Sequence, residues 1–239
     1  MSLSLAIFCP SCGGHEEAVT SWSDTLLRPW PITVDAETQG DNAGFLTKCD
    51  KFWRTCDADF IGYLHSDLYT LEHGWDQRVI EQFADPQVGV VGFVGATQLG
   101  MDDIYRVPYD FRQLARANVV GNMTDMEAHG ERITESRSVA VLDSMAVMVR
   151  RSLLARLGGW PVARYPNSSH CSDLWICCSS HRLGYRVRVT PVACTHKSGG
   201  KGQAGCEWLD ARGGDDKFHK DAHRVLYNDM RDVLPIRIR

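Results

Sequence analysis

Apolar residues along this chain gather in short blocks whose spacing alternates between strand-like and helix-like. Residues 3–9 form an apolar run of strand length that stops at Pro10. Residues 16–27 can follow as a helix ahead of Pro29 and Pro31, and Ile32, Thr33 and Val34 make a short β-branched strand leading into Asp35. After a loop at 40–44, Phe45, Cys49, Phe52, Trp53 and Cys56 recur at helical spacing. Residues 60–64 read as the next strand, 75–83 as a helix closed by Asp85-Pro86, and 88–94 as a buried strand. This alternation over the first hundred residues predicts an α/β fold: a mixed, mostly parallel sheet flanked by helices.

The pattern weakens over residues 99–137, which are polar and read as a long excursion or lid; connections of that length are often functional. Order returns at 138–148. A helix over 150–157 stops at Gly158-Gly159-Trp160, and a second over 173–183 has Gly184 as its C-cap. Residues 185–189 alternate as a strand, 191–195 continue toward His196, and a glycine-rich stretch follows at 198–202. No internal repeat interrupts this order. Residues 1–205 therefore read as one domain, and 206–239 as a basic, helical C-terminal tail packed on it or extending from it.

A chain of 239 residues suits a single domain and can bury about 70% of its unfolded surface. With 44% hydrophobic and 23% charged residues it belongs to the ordinary globular class. The absence of an 18-residue apolar run and of a basic, signal-like start leads to an expectation of a cytoplasmic protein without a membrane span. Nine cysteines lie scattered in apolar segments, Cys177 and Cys178 side by side, which fits buried thiols rather than a disulfide framework. Cys9-Pro10-Ser11-Cys12 is a lone CxxC with no second pair, and a strand end is its simpler reading. The net charge of −4 conceals an asymmetry. Residues 1–181 carry 14 Lys and Arg against 23 Asp and Glu, net −9, whereas 182–239 carry 12 against 7, net +5. A basic final quarter could meet an anionic partner or simply be a solvated surface.

The chemistry concentrates at strand ends. The strand at 60–64 runs into His65-Ser66-Asp67, and alternate residues of an extended chain face the same side, so His65 and Asp67 could address one ligand. Ser11, Asp35 and His65 to Asp67 should lie along one edge, the carboxyl end of the strands, where α/β sheets bind ligands. Asp173 starts a helix, either as an N-cap or as a carboxylate that the helix dipole stabilises. His196 ends a strand just ahead of Lys197, Lys201 and several glycines, a setting for a diphosphate. Carboxylate and imidazole ligands suit Mn2+ or Mg2+ when phosphate oxygens complete the sphere.

In this order the segments resemble a GT-A-fold glycosyltransferase of the large inverting group that uses nucleotide-sugar donors. Ser4-Leu5-Ala6-Ile7-Phe8-Cys9-Pro10-Ser11 resembles its first strand and Pro-Thr turn. Ile32-Thr33-Val34-Asp35 is similar to the second strand, whose final Asp contacts the nucleobase, and Asn42-Ala43-Gly44-Phe45 to the Asn-x-Gly that opens the next helix. His65-Ser66-Asp67-Leu68 stands where the Asp-x-Asp metal motif stands, in the His-led form of one branch, and Glu72-His73-Gly74-Trp75 resembles the Pro-Gly-Trp after it. Residues 141–151 resemble the acceptor-side Asp-Gly strand and its trailing arginine, Leu157-Gly158-Gly159-Trp160 the turn that follows, and His170 to Ile176 the Glu-Asp segment. The resemblance covers residues 3–202. His65 replaces the first Asp of the metal motif, Ser144 a Gly, Ser172 the acidic neighbour of the base, and Trp175 an acidic residue of the His-led branch.

The resemblance implies roles. Asp67 and His196 would bind Mn2+ or Mg2+, with His65 as a third ligand or a nucleotide contact. Pro10, Ser11 and Asp35 would hold the nucleotide and Lys197 and Lys201 its diphosphate; Asp143, Ser144, Trp160 and His170 would line the sugar or acceptor side; Asp173 would be the general base. The expected activity is hexosyl transfer with inversion from a nucleotide-diphosphate sugar to an acceptor hydroxyl. The acceptor could be a hydroxylated base in DNA, as for small phage enzymes acting in a host cytoplasm, with the basic quarter neutralising phosphates around an accessible base. A polysaccharide or other glycan is the other acceptor class. Nucleotidyl transfer to a sugar phosphate is the alternative reaction, although Gly13-Gly14-His15 only faintly echoes its glycine-rich loop. A non-catalytic sugar-nucleotide-binding protein is the third class.

Overall fold

The computed structural model describes residues 3–11, 14–36, 44–100, 116–126, 130–165, 171–197 and 214–239. In chain order its first half contains β1 (Leu5–Ser11), α1 (Glu16–Thr25), β2 (Ile32–Ala36), α2 (Phe45–Thr55), β3 (Phe60–Leu64), β4 (Leu68–Thr70), α3 (Trp75–Phe83), β5 (Val88–Gly92), β6 (Val94–Leu99) and β7 (Arg116–Gly121). Then come β8 (Glu131–Arg132), β9 (Arg137–Ser138), β10 (Val141–Leu142), β11 (Ala146–Arg150), α4 (Arg151–Leu157), α5 (Ser172–Arg182), β12 (Arg186–Val189), β13 (Cys194–His196), α6 (Gly214–Asp229) and β14 (Ile236–Arg237).

Seven strands form the main sheet in the order β2-β1-β3-β11-β5-β12-β9. β2, β1 and β3 are mutually parallel, as are β5 and β12, while β11 runs antiparallel between β3 and β5, and β9 antiparallel on β12. The sheet is thus mixed and mostly parallel, as the sequence predicts. Both faces are covered, so each strand sends alternate residues to opposite sides. Leu5, Ile7 and Cys9 of β1 and Phe60 and Leu64 of β3 pack with Ala18 and Trp22 of α1 and Trp75, Val79 and Phe83 of α3. Phe8, Ile61 and Tyr63 face the other layer, with Leu46 and Trp53 of α2, Leu153 and Leu154 of α4, and α5. Residues 172–180 of α5 are all buried, which explains why this helix lacks a polar face.

Two expectations change. The apolar run 88–94 is not one strand: it breaks at Phe93, where the chain leaves the main sheet and β6 enters a second sheet, β10-β6-β7-β8, with β14 also on β6. Buried apolar residues on both sides hide the switch from hydropathy. Its mark is Gly92 and Gly95, where a Cβ would sit 2.7 Å from the Ala146 carbonyl and 2.6 Å from the Val141 carbonyl. The excursion at 99–137 likewise carries structure, since β7 pairs along β6 and β8 along β7.

The last quarter of the chain shares the core. Leu226, Tyr227, Met230, Leu234 and Ile236 are buried with α5, Ile236 pairs with Leu99, and Arg182 forms an ion pair with Asp232. The seven described cysteines are free thiols, all but Cys56 buried. Among the described residues no helix is long and apolar enough to cross a membrane.

Candidate metal centre and nucleotide edge

β3 does not carry His65 and Asp67 on one extended face. The strand ends at Leu64, and His65 to Leu68 form a turn closed by the Leu68 N–H on the His65 carbonyl at 3.1 Å. The turn, rather than strand alternation, makes the two side chains converge. It is pinned on all sides. The His65 N–H donates to the Met145 carbonyl (3.0 Å), and Lys197 N–H donates to the Asp67 carbonyl (3.0 Å). From below, the indole N–H of Trp22, fully buried on α1, donates to the Leu68 carbonyl at 2.7 Å.

His196 reaches this turn because β13 lies antiparallel to β4, with His196 opposite Leu68. Its Nε2 donates to Asp67 Oδ1 over 3.0 Å. The ring centroids of His65 and His196 are 5.6 Å apart, and the ligand atoms of His65, Asp67 and His196 all lie within 4.8 Å of one another. Two imidazoles and a carboxylate at this spacing fit a divalent transition ion, and the residues present can hold it with open positions left for other ligands.

The surroundings are acidic. Burial pushes His65 below the usual imidazole range, and the neighbouring His196 adds to this against the pull of Asp143, Asp67 and Asp173. Burial also opposes charge on His196, but the hydrogen bond and charge of Asp67, with Asp143 and Asp125, outweigh it and raise that ring above its ordinary value. Asp143 and Asp173 are therefore both within electrostatic reach of the triad. Asp143 lies in the turn between β10 and β11, its Oδ1 accepting from the Met145 N–H (3.1 Å), with Ser144 beside it half-buried. Asp173, buried in the first turn of α5, accepts from the Leu174 N–H at 2.8 Å. The N-cap is Cys171, not Asp173, and it adopts a left-handed φ of 64°, a strained conformation for a residue with a side chain and one that clusters at functional sites.

A second group lines the same sheet edge. Pro10 pairs with Asp35 across β1 and β2, and buried Ser11 lies 3.1 Å from His15 Nδ1. The Lys48 ammonium approaches Asp35. Lys197 contacts Glu17 at 3.0 Å and sits 3.9 Å over the Tyr69 ring. Trp160 is buried in an aromatic cluster, its indole N–H donating to the Tyr63 hydroxyl (3.1 Å) with Trp175 beside it. His170 and Lys201 fall outside the described residues. Sequence reasoning did not single out Trp22, Lys48 or Asp125. Lys48 could have been found as the lysine on the apolar face of α2, whereas Asp125 gives no local sign of meeting His196, because Thr124 reaches β13 only through the fold, its N–H on the Cys194 carbonyl and its hydroxyl on that of Thr195.

No protein-family model matches this sequence, and no curated protein matches it. Solved structures do. The mannosyltransferase PcManGT from Pyrobaculum calidifontis, in complex with GDP-Man and Mn2+, superposes with a TM-score of 0.53 at 16% identity, over 94% of this chain and 69% of that one. GalNAc-T7 with UDP, GalNAc and Mn2+ matches with a TM-score of 0.56 at 9% identity, over 81% of this chain and 43% of that one. This chain thus spans less than half of GalNAc-T7. At these identities the likeness is one of fold: a mixed α/β sheet flanked by helices, similar to GT-A glycosyltransferases.

Proposed function

We propose that this protein is a metal-dependent glycosyltransferase that moves a sugar from a nucleotide-diphosphate sugar to an acceptor hydroxyl with inversion. The observation that carries the reading is the convergence of His65, Asp67 and His196 at the carboxyl edge of the sheet, with Asp173 within electrostatic reach. Two imidazoles favour Mn2+ over the harder, oxygen-preferring Mg2+. Bound there, the cation would neutralise charge on the diphosphate leaving group.

The chain's own residues supply the rest. Pro10, Ser11 and Asp35 hold the nucleotide, and Lys197 and Lys201 its diphosphate, Lys197 by exchanging its contact with Glu17. Asp143 and Ser144 face the sugar or acceptor; His170 belongs to the same side by sequence alone. Trp160 acts by packing behind Tyr63. Asp173, oriented by the Leu174 N–H, removes the acceptor proton as general base.

For the acceptor we favour a glycan hydroxyl over DNA. Part of the described positive charge of the final quarter is engaged inside the molecule: Arg182 by Asp232, Arg186 by Asp85 and Arg188 by the Ser136 carbonyl. The test is a panel of nucleotide sugars and acceptors with MnCl2, reading the released product. Nucleoside diphosphate is expected, and pyrophosphate would indicate nucleotidyl transfer instead. Asp173→Asn should keep donor binding and lose roughly 100-fold or more in transfer, while Asp67→Ala should lose the response to metal; parent-like transfer by Asp173→Asn would remove the general base from the reading.

A further inference from the structure

Lys48 occupies a position where an amphipathic helix normally places an apolar side chain. α2 buries Leu46, Lys48, Cys49 and Trp53, and the Lys48 side chain is 4% exposed. Lysine is almost never buried to this degree without a partner. Among the described residues the partner is a single one, approached twice: the ammonium lies 3.5 Å from Asp35 Oδ1 and donates to the Asp35 carbonyl over 3.3 Å. The lysine thus grips side chain and backbone of Asp35 together. Asp35 itself is 35% exposed and stands opposite Pro10 at the end of the parallel strands, where such sheets receive ligands. The cation is hidden and the carboxylate is presented.

A surface carboxylate needs no buried ammonium to stay in place as a solvated group. Sinking a lysine into a helix face costs desolvation that a lone surface ion pair does not return. The arrangement makes sense if the orientation of Asp35 matters. We propose that Lys48 is a positioning residue that fixes the Asp35 carboxylate as a hydrogen-bond acceptor for the ring N–H of a nucleotide base. The inference rests on the nucleotide-sugar reading above and deepens it. A carboxylate held in this way rewards a base that offers a ring N–H, as uracil and guanine do. It discriminates against adenine and cytosine, whose ring nitrogens at the pairing edge are acceptors. Lys48 makes no claim on the transfer step itself, since its contacts go to the nucleotide edge and not to the triad.

The experiment measures equilibrium binding of UDP, GDP, ADP and CDP, each with MnCl2, to the parent, Lys48→Met, Lys48→Arg, Asp35→Asn and the double variant Lys48→Met/Asp35→Asn. Melting temperatures and Mn2+ binding without nucleotide are recorded on the same samples. The parent should bind UDP or GDP at least tenfold more tightly than ADP and CDP. Lys48→Met should lose tenfold or more on the preferred nucleotide and flatten that preference, with Mn2+ binding unchanged. Lys48→Arg should recover part of the loss, and the double variant should be no worse than the more affected single one. A Lys48→Met protein that melts lower but keeps the parent's base preference would reduce Lys48 to a structural residue and overturn the proposal. So would additive losses in the double variant. If Asp35→Asn weakens binding while Lys48→Met does not, the lysine inference fails alone; if the parent binds none of the four, the nucleotide-sugar reading fails with it.

Discussion

Replacing Trp22 with Phe isolates how the scaffold holds the turn at residues 65–68. Trp22 is fully buried on α1, and its indole N–H lies 2.7 Å from the carbonyl of Leu68, the residue after Asp67. Phenylalanine fills most of the same space but has no donor. A buried carbonyl that loses its partner costs about 1–3 kcal/mol, and the smaller ring forfeits roughly another 1 kcal/mol of buried apolar contact. The sum is about 2–4 kcal/mol. For a domain of this size each kcal/mol moves the melting temperature by about 2–4 °C, so Trp22→Phe should melt on the order of 5–15 °C below the parent. Because the lost bond is adjacent to Asp67, Mn2+ affinity measured by calorimetric titration should fall as well. A neighbouring core change of similar cost away from the turn, such as Phe83→Leu, should lower the melting temperature and spare Mn2+ affinity. If Trp22→Phe stays within about 0.5 kcal/mol of the parent in urea denaturation, a range typical of inert surface changes, the turn does not depend on α1 and the argument is wrong.

Two further outcomes can be measured. His196 is raised above its ordinary value and must lose its proton to ligate, so Mn2+ affinity should fall by up to about tenfold per pH unit as pH drops below that raised value. The metal-free protein should respond oppositely: the His196–Asp67 pair contributes stability that is complete below about pH 6.5 and is lost as pH rises through the raised value. His196→Gln should remove that component from both titrations, and unchanged curves would refute the assignment. Gly159→Ala should destabilise by about 2 kcal/mol or more, combining backbone strain of 1–3 kcal/mol with a disturbed hydrogen bond of about 1 kcal/mol. Gly159 has φ +108°, and a Cβ there would sit 2.3 Å from the Asp50 carboxylate that accepts from Trp53 Nε1 and Trp160 N; chemical denaturation gives the answer directly.

Local pattern made the first hundred residues legible because each helix there buries a stripe and each strand is short and bounded. Asp67, His196 and Asp173 stand out as strand-end or helix-start residues and Asp143 through the family resemblance, but the meeting of His65, Asp67 and His196 at one turn, with Asp143 and Asp173 in electrostatic reach, depends on the fold. What the pattern could not carry was non-local. Nothing in residues 138–148 announces that β11 enters the middle of the main sheet in reverse, since a buried strand has the same composition in either direction. The sheet switch at Phe93 leaves no mark in hydropathy because both neighbours of the break are buried. Lys48 is hidden for a different reason: a pattern of apolar residues on α2 steps across the one charged residue on that face.

The reversed strand has a consequence during synthesis. β3 and β5 are complete by residue 92, but each pairs with β11, which ends at Arg150. At about 5–20 residues per second of translation, the ribosome needs roughly 3–12 s to supply the strand that joins them. Over that interval a nascent chain carries two apolar strands, each with a row of unmatched peptide groups, a template for pairing with a neighbouring polypeptide. Yield in a cell should therefore depend on what shields that gap while it is open, with slow decoding of residues 93–150 favouring insoluble product even where the finished fold is stable.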